Sequence, residues 1–280
     1  MPTADESVIN GIVVRSGTSF FWGMKILSHE QKRAMFAVYA FCRKIDDIAD
    51  NQKKSRTQKL REIALWEKKI NCIFSNREIS DPISREIYLA KKRFNLKKRD
   101  LSSLIQGMKM DIKKNIQFPS RKMLDLYCDR VAVSVGYLSI DIFGVSSNVG
   151  RKYAQYLGRA FQFTNIVRDF HEDLKILRCY IPKDILKQNR VPQKMTNLLS
   201  SPNLSKVLQD LLEEAEQYFL KAEEISTKLD RDKIRGSEIM KLFYKKIHNK
   251  MYKKNFDLKK KIKLNFFEKI IIFLKSLFER

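Results

Sequence analysis

The sequence predicts an all-α fold. One helical bundle with a centre able to hold an apolar cavity spans residues 1–264, and a separate amphipathic helix follows over 265–280. Three observations carry this prediction. Glycine occurs 9 times and proline 6 times in 280 residues, too few breakers for a sandwich, a propeller or a many-turned α/β sheet. Apolar side chains recur at helical spacing through most of the chain, and no five-residue run alternates cleanly enough to mark a strand. Hydrophobic residues make up 44%, enough for a sizeable core and too many for wholesale disorder.

Taken in order, the first firm helix begins at Ser28-His29-Glu30-Gln31, a capping box, and runs to about Asp50 without glycine or proline. Further amphipathic stretches cover about 57–73, 83–94, 101–113, 122–143, 150–173, 204–229 and 232–254. Polar or proline-bearing gaps separate them, among them Gln117-Phe118-Pro119-Ser120-Arg121 and the stretch 187–205. No repeat, low-complexity tract or Gly/Ser linker divides the chain.

Composition narrows the function classes. No window holds the 18 or so uncharged apolar residues of a spanning helix, and the opening Met1–Ser7 lacks the pattern of a secretory signal. Cys42, Cys72, Cys128 and Cys179 lie far apart with no Cys-x-x-Cys pair, so reduced thiols in a cytoplasmic protein are expected. The formal net charge is +24, and residues 241–280 alone carry 13 Lys/Arg against 3 Asp/Glu. Such an excess draws polyanions, phosphorylated molecules or an anionic membrane surface. No nucleic-acid module is recognisable, so no nucleic-acid partner is expected.

Two helices carry the chemistry. The first reads Tyr39-Ala-Phe-Cys-Arg43-Lys-Ile-Asp46-Asp47-Ile-Ala-Asp50, and the second Gln162-Phe-Thr-Asn165-Ile-Val-Arg168-Asp169-Phe-His-Glu-Asp173. Asp46 and Asp50, like Asp169 and Asp173, are four apart and share a face, where like charges repel. Gln162, Asn165, Asp169 and Asp173 continue one polar stripe, and an opposite stripe through Tyr153, Leu157, Ala160, Phe161 and Val167 is expected to pack. A divalent cation reverses the sign of the repulsion. Magnesium is usually held by a few carboxylates and by substrate phosphate oxygens, so two such faces across a bundle suit several ions bridged by a diphosphate. With Arg43 and Arg168 they would neutralise a leaving diphosphate and promote heterolysis of an allylic carbon–oxygen bond. An apolar, aromatic-lined cavity would keep water from the carbocation.

These two stretches, extended to Leu157 on the N-terminal side of the second, resemble the signatures of the squalene/phytoene synthases. The likeness also takes in Ser16-Gly-Thr-Ser19-Phe20, Gly107-Met-Lys-Met-Asp111, Tyr127-Cys-Asp-Arg-Val-Ala-Val-Ser-Val-Gly136 and Arg178-Cys-Tyr-Ile-Pro182, and fades after about Tyr244. The resemblance implies an all-α isoprenoid synthase fold and magnesium-dependent head-to-head (1′-1) condensation of two prenyl diphosphates through a cyclopropylcarbinyl diphosphate. It implies metal held by Asp46, Asp50, Asn165, Asp169 and Asp173. Substrate contacts would come from Ser19, Phe20, Arg43, Gln162 and Arg168, with Tyr39 and Tyr127 lining the reaction cavity. The residues alone single out the aspartates and arginines; the tyrosines read equally as core.

Within the family, the stretch from Tyr127 to Gly144 looks most like the bacterial hopanoid-pathway presqualene diphosphate synthases. These use two farnesyl diphosphates and need no reductant. Phytoene synthase, using geranylgeranyl diphosphate, is the alternative, and squalene synthase a further one. A non-catalytic basic helical protein binding lipid or nucleic acid would explain the charge but not the aspartate faces. Implied partners are the prenyl diphosphates and downstream isoprenoid enzymes. His29, His171 and His248 form no ligand pattern and read as non-catalytic, while Cys42 and Cys128 read as packing residues.

Phe266, Ile270, Phe273, Leu274 and Leu277 share one helical face beyond the lysine-rich stretch 252–264. Two readings follow: a membrane-surface anchor at the inner face of the membrane, or a helix packed on the bundle.

Overall fold

Side-chain caps set where most helices begin. The computed structural model describes residues 3–114, 116–257 and 261–278, apart from the side chains of residues 114, 277 and 278. Thr3 and Glu6 form a capping box that opens α1 (Ala4–Arg15), and α2 (Phe20–Met24) is a single short turn. Ser28 and Gln31 form the capping box expected from sequence at the start of α3 (His29–Asp50), and Ser55 with Gln58 repeats it for α4 (Arg56–Phe74). Asp81 caps α5 (Pro82–Phe94), whose proline sits where its missing N–H costs nothing. The bundle continues with α6 (Lys98–Lys114), α7 (Arg121–Cys128), α8 (Ser134–Phe143), α9 (Asn148–Arg168) and α10 (Phe170–Lys175). It closes with α11 (Lys183–Gln188), α12 (Leu204–Ser226), α13 (Arg231–Lys253) and α14 (Phe266–Phe278).

Among the described residues there is no strand, only one isolated parallel bridge between Gln117 and Cys179. That bridge fastens the loop after α10 to the loop after α6. No helix among them is long and apolar enough to cross a membrane. α9 packs most extensively on α12, α3 on α5, and α4 on α6, while α2 lies against α13 and α14 against α13. The fully buried rings of Phe41, Phe163, Phe219 and Phe243 lie in these seams.

Two expected helices are interrupted. The stretch 122–143 follows one path, but residues Asp129–Val133 widen into a π turn between α7 and α8. Gly158 of α9 accommodates the wider turn: a Cβ there would lie 3.1 Å from the Val133 Cα. The stretch 150–173 breaks at Asp169, whose φ of −96° and ψ of 4° leave the helical region. The Asp169 N–H still donates to the Asn165 carbonyl at 2.8 Å and the Asp173 N–H to the Asp169 carbonyl at 2.9 Å, so the two carboxylates stay on one path. α1, α2 and α11 are additional to the helices expected from sequence; the last two are too short to show a period.

α2 touches α13 through glycines. A Cβ on Gly23 would lie 2.6 Å from the Gly236 carbonyl oxygen and 2.9 Å from the Met240 Cγ. Because the nearer obstacle is backbone, Gly23→Ala must push the two helices apart, at about 1–3 kcal/mol. Gly11→Ala is the matched control: in α1 the new methyl meets only the flexible end of Arg15, and the substitution should add ~0.5–1 kcal/mol of stability. Denaturant unfolding of both variants checks the pair; equal behaviour would contradict the close contact.

Candidate active site

A cavity of about 720 Å³ opens between α3, α6, the π turn, α8, α9 and α13, with α2 along one side. Its depth is apolar, lined by side chains such as Met24, Met35, Val38, Leu104, Met108 and Leu157. One wall is aromatic. Phe161 and Tyr244 stack at 4.1 Å between centroids, and Phe20 meets them edge-on at 6.3 and 6.1 Å. Tyr153, Leu157 and Phe161, expected on a packing stripe opposite the polar one, pack in or against the core and also line this cavity. Spacing of four carries Leu157 and Phe161 directly onto Asn165.

The polar end lies where α3 finishes and α9 passes into α10. Tyr39, Arg43, Asp46 and Asp50 reach the cavity from α3, and Gln162, Asn165, Arg168, Asp169 and Asp173 from α9, the break and α10. Phe20 and Tyr127 line it as well. Of the residues singled out from sequence, Ser19 alone is not among the lining residues; it is half-buried at the start of α2.

The arginines play different parts. Arg43 is half-exposed and sits closer to Asp47, at 2.8 Å, than to Asp46, at 3.5 Å. Arg168 holds Asp169 by a two-pronged fork, 2.7 and 2.6 Å. Arg178, buried in the loop after α10, links the Asp50 end of α3 to Asp111 of α6. Its Nη1 donates to Asp50 at 2.5 Å, its Nη2 to the Ala49 carbonyl at 3.3 Å, and its Nε lies 3.9 Å from Asp111. Asp111 in turn accepts hydrogen bonds from the hydroxyls of Tyr127, 2.9 Å, and Tyr180, 2.8 Å, whose rings stack at 4.8 Å. Lys261 covers the same mouth, 3.0 Å from Asp169 and 2.6 Å from Glu172.

Crowding of carboxylates sets the electrostatics. Burial and then the Asp50 carboxylate push Asp46 up to about 7. Burial and then Asp169 push Asp173 up to about 8. Burial raises Asp111 to about 6 against the lowering effect of Arg178 and the two hydroxyls. Burial also disfavours the charged form of Asp169, but Arg168 and Lys261 outweigh it and hold its pKa below the ordinary value. The site thus holds two aspartates, Asp46 and Asp173, whose negative charge the protein does not fully offset.

Those are the conditions a hard cation relieves. The donors are oxygens, and the buried Asn165 Oδ1 has no hydrogen-bond partner. Among the described residues no three His, Cys, Asp or Glu side chains converge on one point. Each cation would therefore rest on one or two carboxylates and complete its shell with other oxygens, the habit of magnesium. The residues fit the group.

Sequence reasoning passed over Arg178, Asp111, Tyr180, Tyr244 and Lys261. The first three stand within the motif stretches 107–111 and 178–182, but each lacks a same-face partner four residues away, so spacing gave no signal. Lys261 is one lysine in a lysine-rich run. None of the three histidines lines the cavity; His248 is buried against the Leu212 carbonyl at 2.9 Å. The thiols of Cys42 and Cys128 are pushed up by burial, Cys42 to about 12, in keeping with packing roles.

The chain matches the model of the Squalene/phytoene synthase family over residues 13–268. It is 36% identical to the presqualene diphosphate synthase of Zymomonas mobilis subsp. mobilis, over 89% of this chain and 85% of that protein. It is 35% identical to the one from Rhodopseudomonas palustris, over 86% and 85%. Similarity extends at 32% to the phytoene synthase of Mycobacterium tuberculosis, over 70% of this chain and 64% of that one. In fold it resembles a dehydrosqualene synthase crystallised with ligand, with a TM-score of 0.87, 23% identity and coverage of 98% and 95%. It also resembles a squalene synthase from Alicyclobacillus acidocaldarius, with a TM-score of 0.79, 20% identity and coverage of 90% and 94%. The chain belongs to the squalene/phytoene synthase family and is a prenyltransferase with the all-α fold of these enzymes.

Proposed function

We propose that the protein condenses two farnesyl diphosphates head to head into presqualene diphosphate, using magnesium and no reductant. The observation that carries this reading is the pair of under-neutralised aspartate faces at the mouth of one apolar, aromatic-walled cavity. Its similarity to two presqualene diphosphate synthases at 36% and 35% identity supports the choice of product.

Asp46, Asp50, Asn165, Asp169 and Asp173 would hold the metal. Held there, magnesium would supply positive charge to diphosphate oxygens and so make the first diphosphate a better leaving group. Gln162, Arg43 and Arg168 stand beside the same mouth and would contact diphosphate or its surroundings. Breaking the carbon–oxygen bond leaves an allylic cation on the first substrate. The double bond of the second attacks it, and loss of a proton closes the cyclopropane, with the second diphosphate retained. Phe20, Phe161 and Tyr244 present π faces and edges to this region, and the apolar depth excludes water that would quench the cation. Tyr39 and Tyr127 line the reacting volume, with Tyr127 fixed by its bond to Asp111.

Four outcomes test the reading. Asp50→Asn or Asp169→Asn should cut turnover by about 100-fold or more with the circular dichroism spectrum unchanged; wild-type turnover in either removes the metal assignment. Chelation with EDTA should likewise abolish turnover and magnesium restore it.

The metal-free protein should also lose thermal stability as pH rises. Asp46, Asp111 and Asp173 have folded-state values of about 7, 6 and 8, above the ordinary 3.8. Their contribution to stability is fully present below about pH 4 and is lost as pH climbs through those values. A Tm that climbs steadily between about pH 4 and about pH 8 would contradict this.

Incubation with farnesyl diphosphate and magnesium, without NADPH, should yield presqualene diphosphate. Phytoene from geranylgeranyl diphosphate, with farnesyl diphosphate left unused, would overturn the substrate assignment.

A further inference from the structure

Helix α14 carries two apolar faces, and the bundle uses one. Phe273 and Phe266 meet the ring of Trp22 in α2 at 5.4 and 6.1 Å, and the Arg235 guanidinium donates to the Ser276 carbonyl at 3.4 Å. The face expected from sequence to meet a membrane is thus partly the docked one, with Ile270 half-buried beside it; the side chain of Leu277 lies outside the described residues. On the outside, Phe267, Ile271 and Leu274 are 75%, 54% and 47% exposed, and Phe266 is 63% exposed. Spacings of four and three confine the first three to ~60° of arc. No other described helix exposes more than two large hydrophobic side chains, and a solvated helix has no reason to gather four.

The surroundings are cationic. Lys25, Lys263, Lys269 and Lys275 lie in or beside this part of the molecule, and none has an ion pair among the described residues. The acidic side chain of α14 nearest to them, Glu268, is taken by Lys250 at 2.8 Å. We infer that the outer face of α14 docks on an anionic bilayer surface. Phe267, Ile271 and Leu274 enter the acyl boundary, and the flanking lysines meet lipid phosphates. Thirteen residues fall well short of the ~20 that span a bilayer, so the helix lies in the interface plane. A protein partner of ordinary surface charge would not require so many unpaired lysines around the apolar strip, whereas an anionic headgroup layer complements both.

The location links this surface to the site. α14 rests on Trp22, while Phe20, Gly23 and Met24 of the same short helix line the cavity. Lys261, at the cavity mouth, precedes α14 by five residues. Docking through α14 therefore brings the cavity entrance close to the bilayer, where long hydrocarbon chains partition. The docking itself does not depend on which prenyl diphosphate is used.

Vesicle sedimentation with the full chain tests the inference without any activity readout. Vesicles of equal parts phosphatidylglycerol and phosphatidylcholine should carry the protein down at low salt. Binding should weaken on raising salt, and pure phosphatidylcholine should retain little. The triple variant Phe267→Ser, Ile271→Ser, Leu274→Ser should bind anionic vesicles at least tenfold more weakly with an unchanged circular dichroism spectrum. Should that variant fold poorly, tryptophan fluorescence of the wild-type chain decides instead. Lipids brominated on the acyl chain should quench Trp22, beside α14, and leave Trp66, buried against Phe41 at 5.6 Å, unquenched. Indifference of the wild type to anionic vesicles at low salt overturns the inference. So does vesicle binding by the folded triple variant at wild-type strength. A wild-type dimer in light scattering that the triple variant dissolves, with no vesicle binding by either, assigns the face to a second copy of the chain and overturns it as well.

Discussion

Five aspartates crowd the mouth of one apolar cavity, and the repulsion among them organises the groups around it. Asp46 and Asp50 come from α3, Asp111 from α6, and Asp169 and Asp173 from the junction of α9 and α10. A carboxylate withdrawn from water costs several kcal/mol unless it is paired. The protein supplies three kinds of relief. Arg178 spans Asp50 and approaches Asp111, Arg168 and Lys261 share Asp169, and two tyrosine hydroxyls donate to Asp111. Asp46 and Asp173 are left with the weakest help, and burial together with the neighbouring carboxylates raises their pKa values. The proposed binding of cations rests on this shortfall of positive charge more than on any one ligand geometry.

The same arrangement separates two solvents within one cavity. Charged groups gather at the mouth, where water and ions can complete their shells, and the methyl and aromatic groups occupy the depth. A prenyl diphosphate has the same division, with its reacting carbon–oxygen bond at the boundary. Phe20, Phe161 and Tyr244 stand close to that boundary because Tyr244 lies beside Arg168 and Asn165. Aromatic faces there stabilise positive charge without offering a nucleophile. Arg43 contrasts with Arg178: it is half-exposed and nearer Asp47 than Asp46, so it is free to move toward a ligand, whereas Arg178 is a strut.

Legibility in the sequence followed period and cap. The helix from Ser28 to Asp50 was readable because a capping box preceded a long run with no breaker, and the aspartates were readable because spacing of four puts like charges on one face. Eleven of the twelve residues named for the site line the cavity, and the motif resemblance contributed Tyr39 and Tyr127, which spacing alone left indistinguishable from core. What stayed hidden has a common cause. Arg178, Tyr180 and Lys261 lie in segments without regular period, and their roles arise from contacts across long stretches of chain. The break at Asp169 and the π turn at Asp129–Val133 were equally invisible, since both preserve the helical path. For α14 the pattern identified an amphipathic helix but could not tell the docked face from the exposed one, because both are apolar.

The shape of the cavity follows from where the helices are allowed to approach. Gly23, Gly136, Ala154, Gly158 and Gly236 all line it, and small residues let backbones close together on those sides. The Ala154 carbonyl would lie 3.0 Å from a Cβ at Gly136, and the Val133 backbone 3.1 Å from one at Gly158. These walls are therefore backbone, which side-chain rotation cannot reshape. Adaptability is left to Met24, Met35, Met108 and Met240, unbranched side chains that also face the cavity and adjust their rotamers at little cost. A rigid glycine-lined wall beside adjustable thioethers suits the two flexible isoprenoid chains of the proposed reaction. Discrimination between chain lengths would then rest on lining side chains more than on these backbone walls, and one added methylene is worth only ~1–3 kcal/mol. Such side chains can be replaced one at a time, whereas the aspartates are tied into the ion network at the mouth.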